Sequence, residues 1–427
     1  MLTRKMKDSG IEWIGEIPED WEVVKLGIVA DISTGNTPKD PDNIKYSKSE
    51  GVDWLKTNNL LEVDGVSNSS LKIKEQYISE ARLTNPGSVL VTCIGDIGKL
   101  GYTSKPMAFN QQINAITFTK DIVYWKYGMY ALYSQREQQE SFANGNVLKI
   151  LNRENQKKVV ITVPKDINKQ IKISNALDKI CLYIGKLVDK TQLSIEELKK
   201  YKQSLITEAV TKGLDPNVEM KDSGIEWIGK IPKLWSVRKI SNYFSQVKDK
   251  NDELEEENLL SLSYGSIIRR NINSTDGLLP ANFKNYNIVK FGDIVLRMTD
   301  LQNDKVSLRT GFVTEDGIIT SAYITVRTDL DNNVLPKYIQ LLLHSFDIYK
   351  GFYGMGSGVR QNVTYNDIKK IEIIVPPLNE QRQIVSYLDE QTARIDKLIE
   401  DKTKVIEELE DYKKSLIYEY VTGKKEV

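Results

Sequence analysis

The decapeptide MKDSGIEWIG occupies residues 6–15 and is repeated without change at residues 220–229. The match continues through an Ile-Pro pair to a tryptophan, which is Trp21 in the first copy and Trp235 in the second. Such a run of identical residues cannot arise by chance in a chain of 427 residues, so the chain contains an internal duplication. We therefore expect two structural units built on one plan.

A second repeated block lies downstream of each decapeptide. The pattern IEEL-x2-YK-x-SLI-x-E-x-VT begins at Ile195 and again at Ile406. Apolar residues recur there every three or four positions, which predicts two long helices in a coiled coil or, as the alternative, two amphipathic helices packed on separate domains. Thr191, Ser194 and Lys402 weaken the seam, so it should need additional contacts. The seam residues are Ile184, Leu187, Thr191, Ser194, Leu198, Tyr201 and Leu205 in the first helix, and Ile395, Leu398, Lys402, Val405, Leu409, Tyr412 and Leu416 in the second.

The two regions between the repeated blocks share the order of their elements but little sequence. Short apolar runs that follow turn residues predict buried strands, and a helical stretch follows them in each region. Each region should be a mixed α/β domain, and two divergent domains between nearly identical connectors suit a protein that reads two different ligands. The predicted strands are residues 89–94 and 115–118, then 294–297 and 322–326, and the helices lie near residues 124–139 and 337–349.

Composition excludes several classes of protein. A hydrophobic fraction of 40% supports real cores and argues against disorder. No run approaches about 18 apolar residues, so no membrane span is expected, and the first residues lack the apolar segment of a secretory signal. Only Cys93 and Cys181 are present, so neither a disulfide framework nor a zinc cluster is expected, and a cytoplasmic location is favoured. The 59 basic and 59 acidic side chains cancel, so any charge for binding nucleic acid must be local or supplied by a partner.

Three motifs resemble those of the specificity subunits of type I restriction–modification systems, over essentially the whole chain. One is the repeated decapeptide, and another is the run at residues 86–99 followed by NQQINA at residues 110–115. The third and most specific is VPPLNEQRQIV at residues 375–385 with the helix after it. The first copy departs from this third motif at residues 163–170, and the second domain has no close match to residues 110–115.

The resemblance implies a mixed α/β (α+β) chain with an internal pseudo-twofold repeat, in which a long antiparallel two-helix coiled coil separates two target-recognition domains. Each domain would read one half of a split double-stranded DNA target, and the repeated motif would dock on the coiled-coil end. The segments are residues 1–21 (repeat motif), 22–164 (first domain), 165–215 (central helix), 216–235 (second motif), 236–376 (second domain) and 377–427 (C-terminal helix).

The resemblance also implies partners. The coiled coil would dock two methyltransferase subunits, and restriction subunits would join to form the endonuclease. Methyl donor, ATP and metal would belong to those partners, so no cofactor or metal site is expected in this chain.

The residues themselves give little sign of catalysis. His344 is the single histidine and lies in a leucine-rich helical stretch, which makes a His-based triad or metal pair improbable. Residues 95–99 hint at a phosphate loop, but Cys93 stands at the first glycine position and Leu100 follows the lysine. The Val375–Leu378 tetrapeptide is not the Asn/Asp-Pro-Pro-aromatic motif of amino-methyltransferases. A non-catalytic subunit is expected; the alternatives are a single-chain enzyme that carries recognition domains, or a structural coiled-coil adaptor.

Candidate DNA-binding residues lie in the predicted loops. Arg suits guanine, Asn and Gln suit adenine, and Lys suits phosphate. Gln111 and the loops around Asn146 and Arg360 stand out because they occupy equivalent places in the two repeats, whereas any other single candidate is more often a solvated loop residue. The candidates are Lys56, Asn58, Asn59, Lys99, Asn110, Gln111, Gln112, Asn146 and Lys149 in the first domain, and Arg269, Arg270, Arg297, Arg309, Arg360 and Gln361 in the second.

Candidate partner-binding residues lie in the repeated elements. Trp13 and Trp227 are identical in the two copies, which suits an anchor of the fold or a common docking surface better than a sequence-specific DNA contact. The residues predicted to bind a partner subunit are Ile11, Trp13, Ile225, Trp227, Leu198, Tyr201, Leu409 and Tyr412.

Overall fold

The computed structural model describes residues 4–40, 42, 44–273, 282–304, 306, 308–328, 333–355 and 363–427. The chain divides into two compact units, one formed by residues 1–192 with 403–427 and the other by residues 193–402. Each unit combines one repeat motif, one α/β block and parts of two long helices.

Unit 1 is built around an antiparallel four-stranded sheet of order β4-β11-β8-β9. Helix α2 packs on this sheet, and its buried Tyr127 and Leu132 share one apolar core with Val89 and Ile116 of the strands. The strands are β1 Met6–Asp8, β2 Glu16–Pro18, β3 Trp21–Lys25, β4 Ala30–Thr34, β5 Tyr46–Ser47, β6 Val52–Leu55, β7 Lys72–Ile73, β8 Ser88–Thr92, β9 Leu100–Thr103, β10 Ala108–Phe109, β11 Ile113–Phe118 and β12 Val160–Pro164; the helices are α1 Leu26–Val29, α2 Trp125–Tyr133, α3 Arg136–Ser141, α4 Arg153–Gln156 and α5 Ile167–Lys212, whose second half belongs to unit 2.

Unit 2 repeats this plan with a sheet of order β16-β23-β20-β21. Tyr338 and Leu342 of α6 pack on Ile294 and Val326 of that sheet. The strands are β13 Met220–Asp222, β14 Lys230–Pro232, β15 Ser236–Lys239, β16 Phe244–Gln246, β17 Leu260–Ser263, β18 Ser266–Arg269, β19 Asn287–Val289, β20 Ile294–Leu296, β21 Thr310–Phe312, β22 Gly317–Ile319, β23 Ile324–Thr328 and β24 Glu372–Val375; the helices are α6 Pro336–Ile348, α7 Tyr365–Ile368 and α8 Leu378–Val421, whose last part belongs to unit 1.

The long helices α5 and α8 run antiparallel and pack together within each unit. In unit 1, residues 167–192 of α5 pack with residues 403–421 of α8, and in unit 2, residues 193–212 of α5 pack with residues 378–402 of α8. In unit 2, Lys202 and Asp396 pair across the two helices with an Nζ–Oδ2 distance of 2.6 Å. The mixed α/β fold with two long packed helices agrees with the sequence prediction.

The predicted seam is only partly covered. Ile184, Ile395 and Leu416 are buried, as a coiled-coil seam requires. The other seam residues in the described chain are less covered, and four large ones are exposed, namely Tyr201, Leu398, Val405 and Tyr412. Two helices alone therefore do not bury the apolar stripe that the sequence carries, which accords with the expected need for additional contacts.

A buried glutamine joins each long helix to its α/β block in the same way. Gln170 of α5 donates from Nε2 to the carbonyls of Ile122 and Pro164, and its Oε1 accepts from the backbone N–H of Tyr124. In unit 2, Gln381 of α8 makes the equivalent bonds, with donation to Asn333 and Pro376 and acceptance from Leu335 at 2.7 Å. Because three backbone groups would be left unpaired without it, each glutamine holds the first turn of its helix against the α/β block.

A tyrosine joins each block to the end of the other long helix. In unit 1, Tyr127 Oη lies within hydrogen-bond distance of two carbonyls, that of Thr162 at 2.8 Å and that of Val421 at 3.0 Å, and in unit 2, Tyr338 Oη donates to the carbonyl of Val210 at 2.8 Å. The carbonyls of Val421 and Val210 both belong to the last turn of a helix, where the helix itself supplies no donor. The two blocks therefore share one mode of attachment to the helices.

Candidate DNA interface

Three loops of unit 1 converge on Cys93, which directly follows the hairpin strand β8. The backbone N–H of Cys93 donates to the Gln112 carbonyl at 2.8 Å, and its carbonyl accepts from Leu151 at 2.8 Å. The Gly95 N–H then donates to the Lys149 carbonyl at 2.9 Å. These bonds hold the hairpin loop 93–99, the turn 110–112 and the loop 143–150 side by side.

Several predicted residues are exposed on these loops. Gln111, Asn146 and Lys149 are exposed, and Lys99 is half-buried. Thr37, which the sequence analysis did not single out, donates a hydroxyl hydrogen bond to Gln111 Oε1. Strands β6 and β10 pair in parallel, so the loops after them, with Lys56 and Asn58 on one and Gln111 on the other, emerge at the same edge. Most of the candidate DNA-binding residues of the first domain therefore lie on one face of unit 1.

Three candidate residues of the first domain form hydrogen bonds within the chain instead. Asn59 is buried, accepts from the Lys56 N–H and donates to Ser67 Oγ and the Asn68 carbonyl. Asn110 is buried and forms two hydrogen bonds with Gln112. These amides already use the groups that would read adenine, so Asn59 and Asn110 would have to give up these bonds before they could contact a base, and half-buried Gln112 has only part of its amide free.

Unit 2 repeats one of these bonds and has a longer hairpin loop. The Val363 N–H donates to the Met298 carbonyl at 3.1 Å, which is the counterpart of the bond from Leu151 to Cys93. The hairpin loop spans residues 297–309 here and residues 93–99 in unit 1. Predicted residues Arg360 and Gln361 precede Val363 and lie outside the described residues.

Arg309 organises this longer loop from inside. Its side chain is 0% exposed, and its guanidinium donates to the carbonyls of Arg297, Thr299 and Asp304 and to Tyr353 Oη. All of these bonds would have to break before the side chain could reach a base. In this structure Arg309 therefore holds together the loop that carries Arg297 and does not offer its guanidinium at the surface.

The remaining predicted arginines differ in how exposed and how free of ion pairs their side chains are. Arg297 is half-buried and lies 3.6 Å from Asp304 Oδ2. Arg269 is exposed but makes a two-pronged ion pair with Glu315, and Arg270 beside it has an exposed side chain. Arg269 is the last residue of β18 and Arg270 follows it, at the end of the strand opposite to the turn at Tyr264, while that turn lies close to Leu308 of the hairpin loop. The structure thus separates Arg269 and Arg270 from Arg297.

Sequence reasoning missed the exposed apolar side chains at these loop tips. Val147 and Leu148 are exposed between Asn146 and Lys149, and Tyr264 is exposed in a turn with a positive φ of 48°. The strand-turn-strand pattern around Tyr264 could have identified it, because a tight turn between two strands presents its side chains outward.

Neither the two cysteines nor the single histidine is set up for catalysis. Burial raises the pKa of Cys93 to about 12 and that of Cys181 to about 11, so neither thiol is a ready nucleophile. Burial likewise lowers the pKa of His344, which lies in α6, to about 4. Among the residues that the structure describes, no group of three or more His, Cys, Asp or Glu side chains could hold a metal ion.

The predicted partner-binding residues of the repeat motif lie against the helix ends. In unit 1, Ile11 packs on the core, Trp13 is exposed and donates to Gln135 Oε1 at 3.2 Å, and Tyr418 of α8 donates to the Trp13 carbonyl at 2.7 Å. In unit 2, Ile225 and Trp227 pack on the core, and the Trp227 ring lies 5.5 Å from that of Phe346.

The long helices also carry an apolar groove. In unit 1 a groove of about 410 Å³ lies between Tyr183 and Leu187 of α5 and Leu409 and Tyr412 of α8. Tyr201 is the repeat equivalent of Tyr412, is exposed in unit 2, and follows half-buried Leu198. No helix in the described part of the chain is long and apolar enough to cross a membrane.

Comparison with known proteins gives these features a context. A family model described as the type I restriction modification DNA specificity domain matches residues 18–197 and 232–408. The type I restriction enzyme MjaVIII specificity subunit of Methanocaldococcus jannaschii is 25% identical over 432 residues, covering 96% of this chain and 93% of that protein.

Solved structures show a similar fold. A chain from a structure on complex assembly and conformational transition of the type I restriction–modification system has a TM-score of 0.69 at 14% identity, covering 96% of this chain and 99% of that one. The HsdS subunit from Thermoanaerobacter tengcongensis has a TM-score of 0.51 at 13% identity, covering 96% and 98%.

The family match takes in both α/β blocks and most of both long helices. The loops of the two blocks differ in sequence from one unit to the other, and the two units share the residues that join the blocks to the helices. The chain therefore belongs to the type I restriction–modification DNA specificity family, as the non-catalytic subunit that determines the DNA target of the multisubunit enzyme.

Proposed function

We propose that each unit reads one half of a split double-stranded DNA target. The observation that carries this proposal is that each unit presents a hairpin loop bonded to the loop after its helix, at equivalent places and with different sequences. A duplicated frame with divergent loops is suited to two independent half-sites, because direct readout depends on the side chains of the loops and not on the frame.

The exposed loop residues divide by chemistry into two roles. In unit 1, the amides of Asn58, Gln111 and Asn146 are suited to adenine, and Lys56 and Lys149 to phosphate, with half-buried Lys99 beside them. In unit 2, we assign guanine or phosphate contacts to Arg297 and to the exposed Arg270, whereas Arg269 would first have to leave Glu315. The cationic side chains proposed to contact DNA are thus confined to these loops, which agrees with the zero net charge of the whole chain.

The proposed base contact of Gln111 can be tested in the assembled enzyme. Gln111→Ala should weaken binding of the matched half-site by about 1–3 kcal/mol and relax specificity at one position. Lys149→Ala should instead weaken binding to all sequences alike. It should also reduce the number of ions released on binding, which is read from the salt dependence of the affinity, by about one. Binding titrations over a set of single-base target variants separate the two, and a uniform loss for Gln111→Ala would contradict a base contact.

We further propose that two methyltransferase subunits dock on the helices, one on each unit, and that restriction subunits join this complex. The supporting observation is that Tyr201 and Tyr412 hold equivalent repeat positions and are both exposed beside half-buried leucines. Methyl donor, ATP and metal would then belong to the partners, and the complex would act on DNA in the cytoplasm. A single-chain enzyme and a pure adaptor are the other classes, and the two divergent loop sets favour neither.

The number of docking sites can be counted by native mass spectrometry. The wild-type chain should bind two copies of the methyltransferase subunit at saturation. Tyr412→Asp and Tyr201→Asp should each reduce this to one copy, because each places a charge in one apolar surface, and the double variant should bind none. Glu407→Gln and Glu196→Gln, at exposed equivalent positions of the same helices, should keep both copies. Saturation of the wild-type chain at one copy would refute the two-site proposal.

A further inference from the structure

A cavity of about 300 Å³ lies in unit 1 beside the first turn of α5. Trp21, at the start of β3, forms part of its wall, and four cationic side chains line it, those of Arg4, Lys169, Lys172 and Lys425. Asp166 and Glu426 are the acidic side chains in the lining. The cavity therefore has more positive than negative side chains, and the amino end of the long helix α5 adds a partial positive charge.

Trp21, which forms part of the cavity wall, has an unused donor. The side chain is 1% exposed, yet its Nε1–H has no hydrogen-bond acceptor among the described residues. A buried N–H without an acceptor costs roughly 1–3 kcal/mol. Such groups are rare in native proteins, so an acceptor from outside the described chain is expected.

The equivalent tryptophan of unit 2 shows what the missing acceptor is. Trp235 Nε1 donates to Glu380 Oε2 at 2.9 Å. The two indoles are placed alike, because each meets a tyrosine edge to face, Trp21 with Tyr127 at 6.3 Å and Trp235 with Tyr338 at 6.4 Å. The indole N–H of Trp21 therefore faces the place that a carboxylate occupies in unit 2.

A single substitution between the repeats explains the difference. Glu380 directly precedes the buried Gln381, and the residue that directly precedes Gln170 is Lys169. The Lys169 Nζ lies 5.8 Å from the Trp21 ring centre and pairs with Asp20 at 3.1 Å. Unit 1 has thus exchanged the carboxylate of unit 2 for a cation and left the indole donor without its acceptor.

The positive charge in the cavity is not used up internally. Arg4 and Lys169 share Asp20, and Arg4 also lies 3.7 Å from Glu426. Lys172 and Lys425 have no ion pair among the described residues. At the place of Lys172, unit 2 has the neutral Gln383. The surplus cations are therefore specific to the unit that lacks the carboxylate.

We propose that this cavity is a carboxylate-binding site. A carboxylate supplied from outside the described chain accepts the Trp21 indole hydrogen bond, as Glu380 does for Trp235, and its charge is balanced by Lys172 and Lys425. Charge-assisted bonds of this kind are stronger than neutral ones, which suits a buried donor. The site is separate from the loops proposed to read DNA and does not depend on that proposal.

The indole N–H signals of the full-length protein, labelled with ¹⁵N at its tryptophans, test the site directly. Trp21→Phe assigns the signal of Trp21. Addition of sodium acetate should move that signal downfield in a saturable way, whereas sodium chloride at equal ionic strength should not. Lys169→Glu supplies the carboxylate within the chain, so its Trp21 signal should lie downfield without acetate and should not respond to it. A Trp21 signal of the wild-type protein that acetate does not move would overturn the proposal.

Two further arms keep the test decisive if Lys169→Glu folds poorly. The exposed pair Lys172→Ala/Lys425→Ala should need several-fold more acetate for half of the shift, and an unchanged titration would count against the site. Glu380→Gln should leave the Trp235 signal insensitive to acetate, because unit 2 lacks the cations. A shift of the Trp21 signal with sodium phosphate but not with acetate would assign a phosphate ligand and contradict the carboxylate.

Discussion

A chain that carries residues 22–164 in both block positions, in place of its own residues 236–376, should direct methylation to a new DNA target. Together with the methyltransferase subunits it should modify DNA with two copies of the first half-site and leave the original target unmodified. Each mismatched base pair costs about 1–3 kcal/mol in specific protein–DNA complexes, so exchange of a whole half-site abolishes recognition of the old one. The premise is that each unit reads one half-site with its own loops.

The structure indicates why such a block can be moved. Its two ends lie side by side, because β15 pairs with β24 between Ser236 and Val375. In unit 1, β3 and β12 pair between Trp21 and Pro164 in the same way. The exchange therefore joins the chain at one place on each unit and leaves the long helices intact.

The attachments to the helices are also interchangeable. Tyr127 of the moved block should donate to the Val210 carbonyl that Tyr338 now contacts, since both tyrosines bind the last turn of a long helix. Gln381 accepts a backbone N–H, that of Leu335, and the moved block offers that of Tyr124 in its place. The chimera should therefore fold, although its two blocks are now identical.

Single-molecule sequencing of genomic DNA from cells that express the chimera with its partner subunits would map the methylated bases. The reciprocal chimera, with residues 236–376 in both positions, is the matched control and should give two copies of the second half-site. Alteration of both half-sites after exchange of one block would show that the units do not read independently.

The frame could be predicted from the sequence because it is repeated. A motif that recurs with the same spacing predicts that one frame is used twice, and Gln170 and Gln381 join the two frames with equivalent hydrogen bonds. The helices α5 and α8 followed from the 3.5-residue periodicity of their apolar residues. Both signals extend over many residues, so neither depends on the placement of one side chain.

The loops could not be predicted in the same way, because one residue type serves two purposes there. Asn59 and Asn110 carry the amide that reads adenine, but an asparagine amide also closes turns, and both residues use it so. Arg309 carries the guanidinium that reads guanine, yet the length of the 297–309 loop folds it inward over its own carbonyls. Only tertiary contacts distinguish these roles.

The helix seam shows a related limit. Periodicity predicts which residues share a face, but not how much of that face a single partner helix covers. Leu398 and Val405 lie on the predicted seam and are nevertheless exposed. An apolar stripe wider than one helix can cover is expected where a further subunit docks.

Lengthening both long helices by one heptad should increase the spacer between the two half-sites and leave the half-sites unchanged. Helix α5 has 46 residues, so it is about 70 Å long. Seven more residues add about 10 Å, which corresponds to at most about 3 bp of DNA at 3.4 Å per base pair. Half-site centres read from one face of B-DNA should lie about one turn, roughly 10 bp, apart before the change.

The heptads must enter both helices where they disturb neither unit. The division between the units falls after Gln192 in α5 and after Lys402 in α8, between the flanking leucines of each seam. A heptad is close to two full turns and rotates the following residues by only about 20°, so the seam keeps its face. Lys202 and Asp396 lie on the same side of the two insertions and should remain paired.

A heptad in α5 alone is the matched control. It shifts one helix by two turns against the other, so apolar residues lose their partners and we expect loss of folding or of methyltransferase binding in place of a longer spacer. Maps of methylated bases in cells with the doubly lengthened chain decide the outcome. A spacer of the original length, with both half-sites still methylated, would show that the paired helices do not set the distance between the half-sites. A longer spacer with unchanged half-sites is what continuous helices that carry the two reading units require.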